Sequence, residues 1–532
     1  MSDLDVVVVG AGFSGLYMLH KLRTLGFSAR AFEAGDGVGG TWYWNRYPGA
    51  RCDTESLEYS YGFDEELQQE WHWTERYATQ PEIERYANHV ADRYGLRDDI
   101  TFNTRVLSAT FDEDANTWTV VADNGETVEA GYVVFATGCL SSANMPDIAG
   151  VDTFEGLTVH TGRYPKEGVD YAGKRVAVIG TGSSAIQSIP IIASECAELT
   201  VFQRTANYAV PAWNQDLDPA DVADVKAHYQ AFRAANRTMG AAFGSRLPEG
   251  TMKNVADCTP EEIRAELDKR WSYGGLGFLG GFLDVLLTPS ANDVVAEYVR
   301  EKIREVVKDP KVADLLSPEQ VIGCKRLCVD TGYYATFNND HVHLVDLKAE
   351  PIERVTPAGV QTADREYPVD VIVYATGFDA MTGALLSIDI KGRDGVGLQD
   401  AWHAGPRTYL GLGVKGFPNM FTITGPGSPS VLTNMMVSIQ QHVEWIGDCL
   451  TYLRDNNVST IEAEQDAQDA WVDYVNTIAA FTLFPTCNSW YLGANVPGKT
   501  RVFMPLLGYP PYEEKCKDVA AKNYEGFSLV PA

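Results

Sequence analysis

Apolar and polar positions follow the same order in two separate stretches of the chain. Each stretch begins with a short apolar run, which is Leu4–Val9 in the first and Arg175–Ile179 in the second. A glycine-rich turn, an amphipathic segment of helical length and a second apolar run at 30–33 or 199–203 come next. A strand, a tight turn, a helix and another strand in this order are typical of a βαβ nucleotide-binding unit.

Each unit also has a later apolar strand, and both of these strands end in the tripeptide Ala-Thr-Gly. Their sequences are YVVFATG at 132–138 and VIVYATG at 371–377. Two βαβ units with matching late strands predict an α/β fold that contains two Rossmann-like, doubly wound dinucleotide-binding domains.

The pattern changes between and after the two units. From about 218 to 330, polar and apolar residues alternate with helical spacing, which predicts a helical insertion in the second domain. We expect the C-terminal part to complete the first domain, because an open nucleotide-binding sheet needs more strands than the first part offers. The predicted division is 1–143, first part of the first domain; 144–217, linker and first part of the second domain; 218–330, helical insertion; 331–380, second part of the second domain; and 381–532, second part of the first domain.

The glycines of the first turn have the spacing of a dinucleotide fingerprint. Gly10 permits the tight turn, Gly12 lets the backbone approach a pyrophosphate, and Gly15 allows the helix to pack closely on the strand. The pyrophosphate would then lie at the N-terminus of the helix. Glu33 closes the next strand, where a carboxylate accepts hydrogen bonds from ribose hydroxyls and repels a 2′-phosphate. This unit is therefore predicted to bind FAD.

The second fingerprint differs at the position that contacts the ribose. Gly180, Gly182 and Ala185 form the turn, and Arg204 stands where an acid would be expected. A guanidinium binds a phosphate in a bidentate way, so the second unit is predicted to bind NADPH. Two dinucleotides of different ribose chemistry indicate an oxidoreductase in which hydride passes from nicotinamide to flavin. The remaining cofactor-binding candidates near the two turns are Gly40, Thr41, Trp42, Thr181, Ser183, Ser184 and Thr205.

Composition narrows the class of partner. The net charge of −29 over 532 residues argues against nucleic acid or an anionic membrane, and no protein partner is indicated. The nine cysteines are scattered without a CxxC pair, which predicts a reducing compartment with neither a metal site nor a disulfide framework. The N-terminus enters a predicted strand directly, without the basic region of a signal peptide. We therefore expect a cytoplasmic location.

The segment after Glu33 carries the first resemblance to a known family. In flavin disulfide reductases this region holds a redox-active CxxxxC pair, whereas here it is GVGGTWYWNRYPGARCD. The segment resembles a signature of the single-chain, FAD-type Baeyer–Villiger monooxygenases. The matching residues are Gly40, Trp42, Tyr47, Pro48, Gly49 and Asp53.

A second segment, FEGLTVHTGRYP at 154–165, resembles the linker signature of the same family. Phe154, Gly156, His160 and Pro165 match it. Tyr164 departs from it, because the family usually has tryptophan there and the related flavin-containing and N-hydroxylating monooxygenases often have tyrosine or phenylalanine.

The resemblance extends along essentially the whole chain and is closest to the phenylacetone and steroid monooxygenase branch. It implies that Arg326 is the active-site cation and that Asp53 is its acidic partner. It also implies that Lys325 helps Arg204 to hold the 2′-phosphate of NADP. The expected reaction uses NADPH and O₂ to convert a ketone to an ester or lactone through a deprotonated flavin peroxide. A guanidinium suits this chemistry because it keeps its proton.

The C-terminal part supplies the expected pocket. The glycines and proline of SWYLGANVPGK predict a mobile loop near 487–500 that places Trp490 over the nicotinamide and excludes water. The predicted ketone pocket is lined by Ser430, Val431, Leu432 and Met435.

Two other functions stay open from the residues alone. A flavin monooxygenase that oxidises sulfides or amines would account for Tyr164, although Arg326 and Asp53 argue against it. A non-catalytic sensor of NADPH would keep both fingerprints and turn over nothing. For His160, a role as a hinge or packing residue in the linker is favoured over a role as a proton donor.

Overall fold

The computed structural model describes residues 3–494 and 504–532. Its first sheet contains the strands of the N-terminal βαβ unit. Within those residues, this sheet has eight strands. Seven of them lie in the spatial order Asp389–Lys391, Val106–Asp112, Thr117–Ala122, Thr127–Phe135, Leu4–Val9, Ala29–Phe32 and Ile100–Thr101. The eighth, Met420–Thr422, pairs in parallel with Thr127–Phe135. Strands from the C-terminal part therefore belong to the sheet that the N-terminus begins.

The second sheet is entirely parallel. In the described part of the chain it has five strands, in the order Val342–Asp346, Glu198–Gln203, Arg175–Ile179, Val371–Tyr374 and Leu157–His160. All four residues of its interior strand Val371–Tyr374 are buried, as expected for a parallel sheet that is covered on both faces. The two sheets confirm the predicted α/β class with two Rossmann-like domains.

The smaller strand groups lie around these sheets. Ala209–Pro211 pairs with Cys328–Asp330, and Val458–Ala463 pairs with Phe527–Pro531. An antiparallel group is formed by Ile352–Thr356, Gly359–Thr362 and Glu366–Pro368.

Helices cover both sheets. Their bounds are Phe13–Thr24, Thr41–Trp44, Glu65–Glu70, Gln80–Arg93, Ser183–Glu195, Pro219–Ala227, Tyr229–Arg237, Pro260–Tyr273, Pro289–Val306, Pro310–Leu316, Tyr333–Thr336, Gly383–Leu386, Leu398–Ala401, Met435–Asp455, Gln465–Ala480 and Tyr509–Ala521. Five of them lie between 218 and 330, where their buried residues Val295 and Val299 share one core with Val176 of the second sheet. Among the described residues, none of the helices is long and apolar enough to cross a bilayer.

Both fingerprint turns need glycine for steric reasons. Gly10 has a φ of 104°, and Gly180 has a φ of 113°, which is the left-handed region that favours glycine. A Cβ on Gly15 would lie 1.9 Å from the carbonyl oxygen of Gly10. The helices Phe13–Thr24 and Ser183–Glu195 begin directly after these turns, and no side chain caps their N-termini. Their free N–H groups are therefore available to an anionic ligand.

One expectation about the cysteines is wrong. Cys324 and Cys487 form a disulfide, with their Cα atoms 6.0 Å apart, although 163 positions separate them in sequence. That Cα separation is ordinary for a disulfide. Counting cysteines and searching for CxxC spacing detects pairs that are close in sequence, whereas only the tertiary fold brings these two together. No group of metal-ligating side chains occurs within the described residues.

Candidate active site

A bidentate ion pair joins two segments that are remote in sequence. Arg326 donates from Nε to Oδ2 of Asp53 and from Nη2 to Oδ1, at 2.8 Å in both bonds. Its third nitrogen, Nη1, donates to the backbone oxygen of Val431 at 2.7 Å. The side chains of Arg326 and Asp53 are 21% and 27% exposed. The guanidinium plane is thus fixed at three points while an edge stays accessible.

The electrostatics of this pair favour a permanently charged arginine. Burial alone would lower the pKa of Arg326, but the negative charge and hydrogen bonds of Asp53 outweigh burial and raise it further above its ordinary value. Arg326 therefore offers positive charge and N–H donors without releasing a proton.

Local structure holds the two partners in place. Asp53 follows a segment anchored by the N–H of Cys52, which donates to the carbonyl oxygen of Ala78 at 3.0 Å. Arg326 lies two residues before the short strand Cys328–Asp330. Val431 belongs to the one-turn 3₁₀ helix Ser430–Leu432, and this turn aims its carbonyl oxygen at the guanidinium.

The predicted pocket residues lie together beside the ion pair. Val431 is part of an apolar cluster with Phe484 and Tyr491, against which Leu432, Met435 and Trp490 pack. Ser430 is fully buried, and its hydroxyl lies 3.8 Å from the sulfur of Met381, another member of this cluster. We call this set the apolar cluster below. The part of the predicted loop at 495–500 lies outside the described residues.

The first fingerprint fits the adenosine part of a dinucleotide. The carboxylate of Glu33 is 6% exposed and accepts from the N–H groups of Ala11 and Gly35, each at 2.8 Å. Burial raises the pKa of Glu33, and these two hydrogen bonds oppose the rise. A Cβ on Gly12 would lie 3.3 Å from Cα of Gly40, so the two glycines form a narrow backbone cradle. Residues of this kind fit FAD.

Trp42 and Thr41 lie directly beyond that cradle. Trp42 is buried and donates from Nε1 to the hydroxyl of Tyr59 at 3.0 Å, while its carbonyl oxygen accepts from the amide of Gln80. Thr41 is exposed at the start of the same short helix. The side chain of Trp42 is thus held in place by hydrogen bonds, whereas Thr41 is accessible from solvent.

The second fingerprint is open where a pyrophosphate would approach. A Cβ on Gly182 would meet nothing within 4 Å, and both Gly182 and Ser183 are exposed. The hydroxyl of Thr181 donates to the carbonyl oxygen of Thr205 at 2.8 Å, which ties the turn to the end of the next strand. Ser184 contacts the hydroxyl of Thr161 at 3.1 Å.

Two cations lie together near this turn. Burial lowers the pKa of Lys325, and repulsion from the positive charge of Arg204 lowers it further. Arg204 is exposed, and in the described part of the chain no carboxylate forms an ion pair with either residue. Two uncompensated cations beside a dinucleotide turn fit a 2′-phosphate, the group that distinguishes NADP from NAD.

Comparison with known proteins supports the same conclusion. Residues 7–246 match the family model described as pyridine nucleotide-disulphide oxidoreductase. Over 529 residues the chain is 43% identical to a Baeyer–Villiger monooxygenase of Pseudooceanicola batsensis, which covers 98% of this chain and 96% of that relative. This chain belongs to the Baeyer–Villiger monooxygenase family. The family resemblance and the predicted enzyme class are confirmed.

Solved structures support the assignment and the cofactors. A steroid monooxygenase bound to NADP is 50% identical, with a TM-score of 0.95 over 99% of this chain and 100% of the other. A structure of OTEMO in complex with FAD and NADP is 42% identical, with a TM-score of 0.96 over 99% and 100% of the two chains. The predicted cofactors of this Baeyer–Villiger monooxygenase, FAD and NADPH, are confirmed.

The structure of this monooxygenase also reveals a domain junction that the sequence did not single out. Tyr47 donates to the side-chain oxygen of Gln187 at 2.8 Å, and the amide of Gln187 donates to the carbonyl oxygen of Arg51 at 3.0 Å. A Cβ on Gly49 would lie 2.3 Å from the backbone oxygen of Gln187. Gln187 belongs to the helix that follows the second fingerprint, so it links both dinucleotide units. No clear sequence signal marks this role, because Gln187 is one of several polar residues in that helix.

Tyr491 is a second residue that sequence reasoning missed. It is 3% exposed, and its ring lies 4.3 Å from that of Trp490. Burial raises the pKa of Tyr491 to about 12, while the charge of Arg326 and a hydrogen bond with it oppose the rise. The segment that carries Trp490 is therefore in contact with the active-site arginine of the monooxygenase.

The two linker residues are buried in packing contacts. Nδ1 of His160 accepts from the N–H of Gly162 at 2.9 Å, and its Nε2 lies 3.3 Å from the hydroxyl of Thr376. Burial lowers the pKa of His160 and so favours the neutral form of the ring. The hydroxyl of Tyr164 lies 2.7 Å from that of Tyr171. These contacts favour a structural role for both residues in the monooxygenase.

Proposed function

We propose that this enzyme binds a ketone between Arg326 and the apolar cluster and oxidises it to the corresponding ester or lactone. The observation that carries the proposal is the three-point fixation of the guanidinium beside Val431. One face of the site is thus cationic and the next is apolar. This combination suits a carbonyl group that carries apolar substituents.

The residues that we assign to the two cofactors belong to the two fingerprint units and their neighbouring segments. Bound FAD takes electrons from NADPH and supplies the activated oxygen atom from O₂. Gly12, Gly40 and Glu33 would hold the FAD pyrophosphate and ribose. Gly182, Arg204 and Lys325 would hold NADP. We propose that further residues near the two turns and in the C-terminal segment also contact the cofactors: Gly10, Gly15, Thr41, Trp42, Gly180, Thr181, Ser183, Ser184, Thr205 and Trp490.

We assign Arg326 the stabilisation of negative charge that develops on the carbonyl oxygen during oxygen insertion. Its free N–H groups can donate there, and its raised pKa prevents it from acting as an acid that would quench a nucleophile. Asp53 fixes the plane of the guanidinium through both carboxylate oxygens. Val431, Leu432 and Met435 would contact the hydrocarbon part of the ketone, with Ser430 setting the position of this turn.

The experiment that tests the reaction is a panel of linear, cyclic, aryl and steroidal ketones, together with a sulfide. The FAD-loaded enzyme receives NADPH and ¹⁸O₂, and mass spectrometry follows the products. We expect an ester or lactone that carries one ¹⁸O atom. If the sulfide alone were oxidised and every ketone recovered unchanged, a heteroatom oxygenase would replace this proposal.

Two variants connect that reaction to the site. Arg326→Ala should still bind FAD yet form no ester. The matched control is Arg175→Ala, because Arg175 forms a bidentate pair with Asp370 at the amino end of the second sheet, away from the fingerprint turns. Ester formation by Arg326→Ala at the parent rate would contradict the role of the arginine.

We also propose a cytoplasmic location. In the described chain seven cysteines are free, six of them buried, which is compatible with a reducing compartment.

A further inference from the structure

The disulfide between Cys324 and Cys487 joins two segments of the active site. Cys324 directly precedes Lys325 and Arg326 in the chain. Cys487 directly follows the 3₁₀ helix Phe484–Thr486 and precedes the one-turn helix Trp490–Leu492. The bond therefore runs from the segment that carries the two cations to the segment that carries Trp490.

We propose that Cys324 and Cys487 are a reversible thiol–disulfide pair that controls how readily NADP and ketone leave the site. This inference rests on the proposed function for the identity of the ligands. In the disulfide form, the segment 487–492 is covalently held beside Arg326. In the dithiol form, only non-covalent contacts hold it.

Non-covalent contacts also hold the residues on either side of Cys487. The N–H of Leu483 donates to the carbonyl oxygen of Leu286 at 2.9 Å, and the ring of Tyr491 packs against that of Phe484 at 5.9 Å. The sulfur of Cys487 lies 3.2 Å from the carbonyl oxygen of Leu483, so a free thiol can donate there after reduction. Reduction thus removes the covalent tether and leaves the segment held beside Arg326 only by the non-covalent contacts of Tyr491 with that arginine and with the apolar cluster.

The chemistry of formation is a two-electron oxidation by a hydroperoxide. Cys487 is partly exposed, whereas Cys324 is 3% exposed, so the peroxide reaches Cys487 first. Its thiolate takes one oxygen to become a sulfenic acid, and hydrogen peroxide leaves as water. The sulfur of Cys324 then displaces hydroxide, which leaves as a second water after protonation. Two thiols and one H₂O₂ give one disulfide and two H₂O, and a dithiol reverses the change.

The remaining cysteines provide a control. Cys258 is the most accessible free cysteine in the described chain, while Cys52, Cys139 and Cys328 are buried. Oxidation of accessible thiols in general would affect Cys258, whereas the proposed pair requires Cys324 and Cys487 together. Cys258→Ser is therefore the matched variant for Cys324→Ser and Cys487→Ser.

The test uses the full-length FAD-loaded enzyme, reduced with dithiothreitol, or treated with hydrogen peroxide that is then removed with catalase. Peptide mapping identifies the linked peptide, thiol titration counts the thiols, and stopped-flow measurement gives the rate of NADP⁺ release. We expect a Cys324–Cys487 peptide, a loss of two thiols, and at least threefold slower NADP⁺ release that dithiothreitol restores. The Cys258→Ser variant should show the same ratio of oxidised to reduced rates, and both pair variants should show a ratio near one.

The pairing itself would be overturned if the linked peptide were absent, or if Cys324→Ser and Cys487→Ser responded like the parent. The control of release would be overturned if the linked enzyme released NADP⁺ at the rate of the reduced enzyme. Failure of the proposed function appears separately, because the reduced enzyme would then form no ester from any ketone, whatever the state of its thiols.

Discussion

Arg326 and Asp53 share two parallel hydrogen bonds of 2.8 Å across 273 positions of sequence. The same guanidinium reaches the backbone of Val431, so one side chain connects both dinucleotide units and the apolar cluster. Bidentate geometry of this kind fixes the plane of the guanidinium as well as the position of its charge. The consequences for catalysis, cofactor choice and stability can be tested separately.

The first prediction concerns the plane of the guanidinium. Arg326→Lys keeps the positive charge but has one nitrogen, so it cannot bind both oxygens of Asp53 and Val431 as well. We expect kcat for ester formation to fall by about 10²–10³-fold, the effect of losing one oriented donor. NADPH-dependent reduction of FAD should change far less.

Asp53→Asn tests the same geometry from the other partner. The amide keeps one acceptor and loses the charge, so a smaller decrease in kcat than for Arg326→Lys is expected. Steady-state ester formation and single-turnover flavin reduction measure the two effects. An Asp370→Asn variant, which breaks the remote pair with Arg175, is the control. Equal losses of kcat in Arg326→Lys, Asp53→Asn and Asp370→Asn would instead indicate general destabilisation of the protein.

The second prediction concerns the choice between NADPH and NADH. Arg204 and Lys325 lie close to each other without an acidic partner in the described chain, so a 2′-phosphate relieves their mutual repulsion. Arg204→Ala should raise KM for NADPH by about tenfold or more, since a charge-assisted bond contributes about 1.5–3 kcal/mol. KM for NADH should remain nearly unchanged.

The control for this prediction is Lys348→Ala, which removes an exposed cation on the same domain that pairs with Glu319 instead. Both coenzymes are assayed with the same ketone. Parallel increases in KM for NADPH and NADH in Arg204→Ala would remove the assigned phosphate contact.

The third prediction separates two glycines of the second fingerprint. A Cβ on Gly180 would lie 2.4 Å from the carbonyl oxygen of Ala375, at a φ of 113°. A Cβ on Gly182 would meet nothing within 4 Å, at a φ of −81°. Gly182→Ala should therefore fold normally and keep FAD while binding NADP⁺ at least tenfold more weakly.

Gly180→Ala should instead lower the melting temperature and the yield of folded protein, because the clash is with backbone. Calorimetry for folding and isothermal titration with NADP⁺ for binding distinguish the two results. A Gly182→Ala variant with unchanged NADP⁺ affinity would contradict the placement of the pyrophosphate at this turn.

The sequence predicted the parts of the site that are encoded locally. Turn glycines, the acid at Glu33 and the cation at Arg204 follow a strand at fixed spacing, so short-range pattern was sufficient for the fold class and the cofactors. The contact between Tyr47 and Gln187 spans 140 positions, and the Cys324–Cys487 bond spans 163. Such pairs depend on how the two sheets dock, which no local spacing records.

The last prediction concerns acid stability and the buried His442. Its Nδ1 accepts from the N–H of Thr424 at 2.8 Å, so the proton is on Nε2, which donates to the hydroxyl of Tyr512 at 2.8 Å. That hydroxyl donates in turn to the carbonyl oxygen of Leu410 at 2.6 Å. Burial lowers the pKa of His442 from 6.5 to about 3. The folded ring therefore remains neutral at pH values where the unfolded ring binds a proton.

Between pH 3 and 6.5 the unfolded state binds more protons than the folded state, so the free energy of unfolding rises with pH in this window. The stability that the neutral His442 contributes is therefore lost as the pH falls below 6.5. From pH 7 to pH 5 the expected loss from this group is about 2 kcal/mol. Urea unfolding of the parent and of His442→Asn at both pH values measures it. The variant is less stable at pH 7, because the bonds to Thr424 and Tyr512 are perturbed, but its decrease from pH 7 to pH 5 should be smaller. An equal decrease in both proteins would assign the acid sensitivity to other groups.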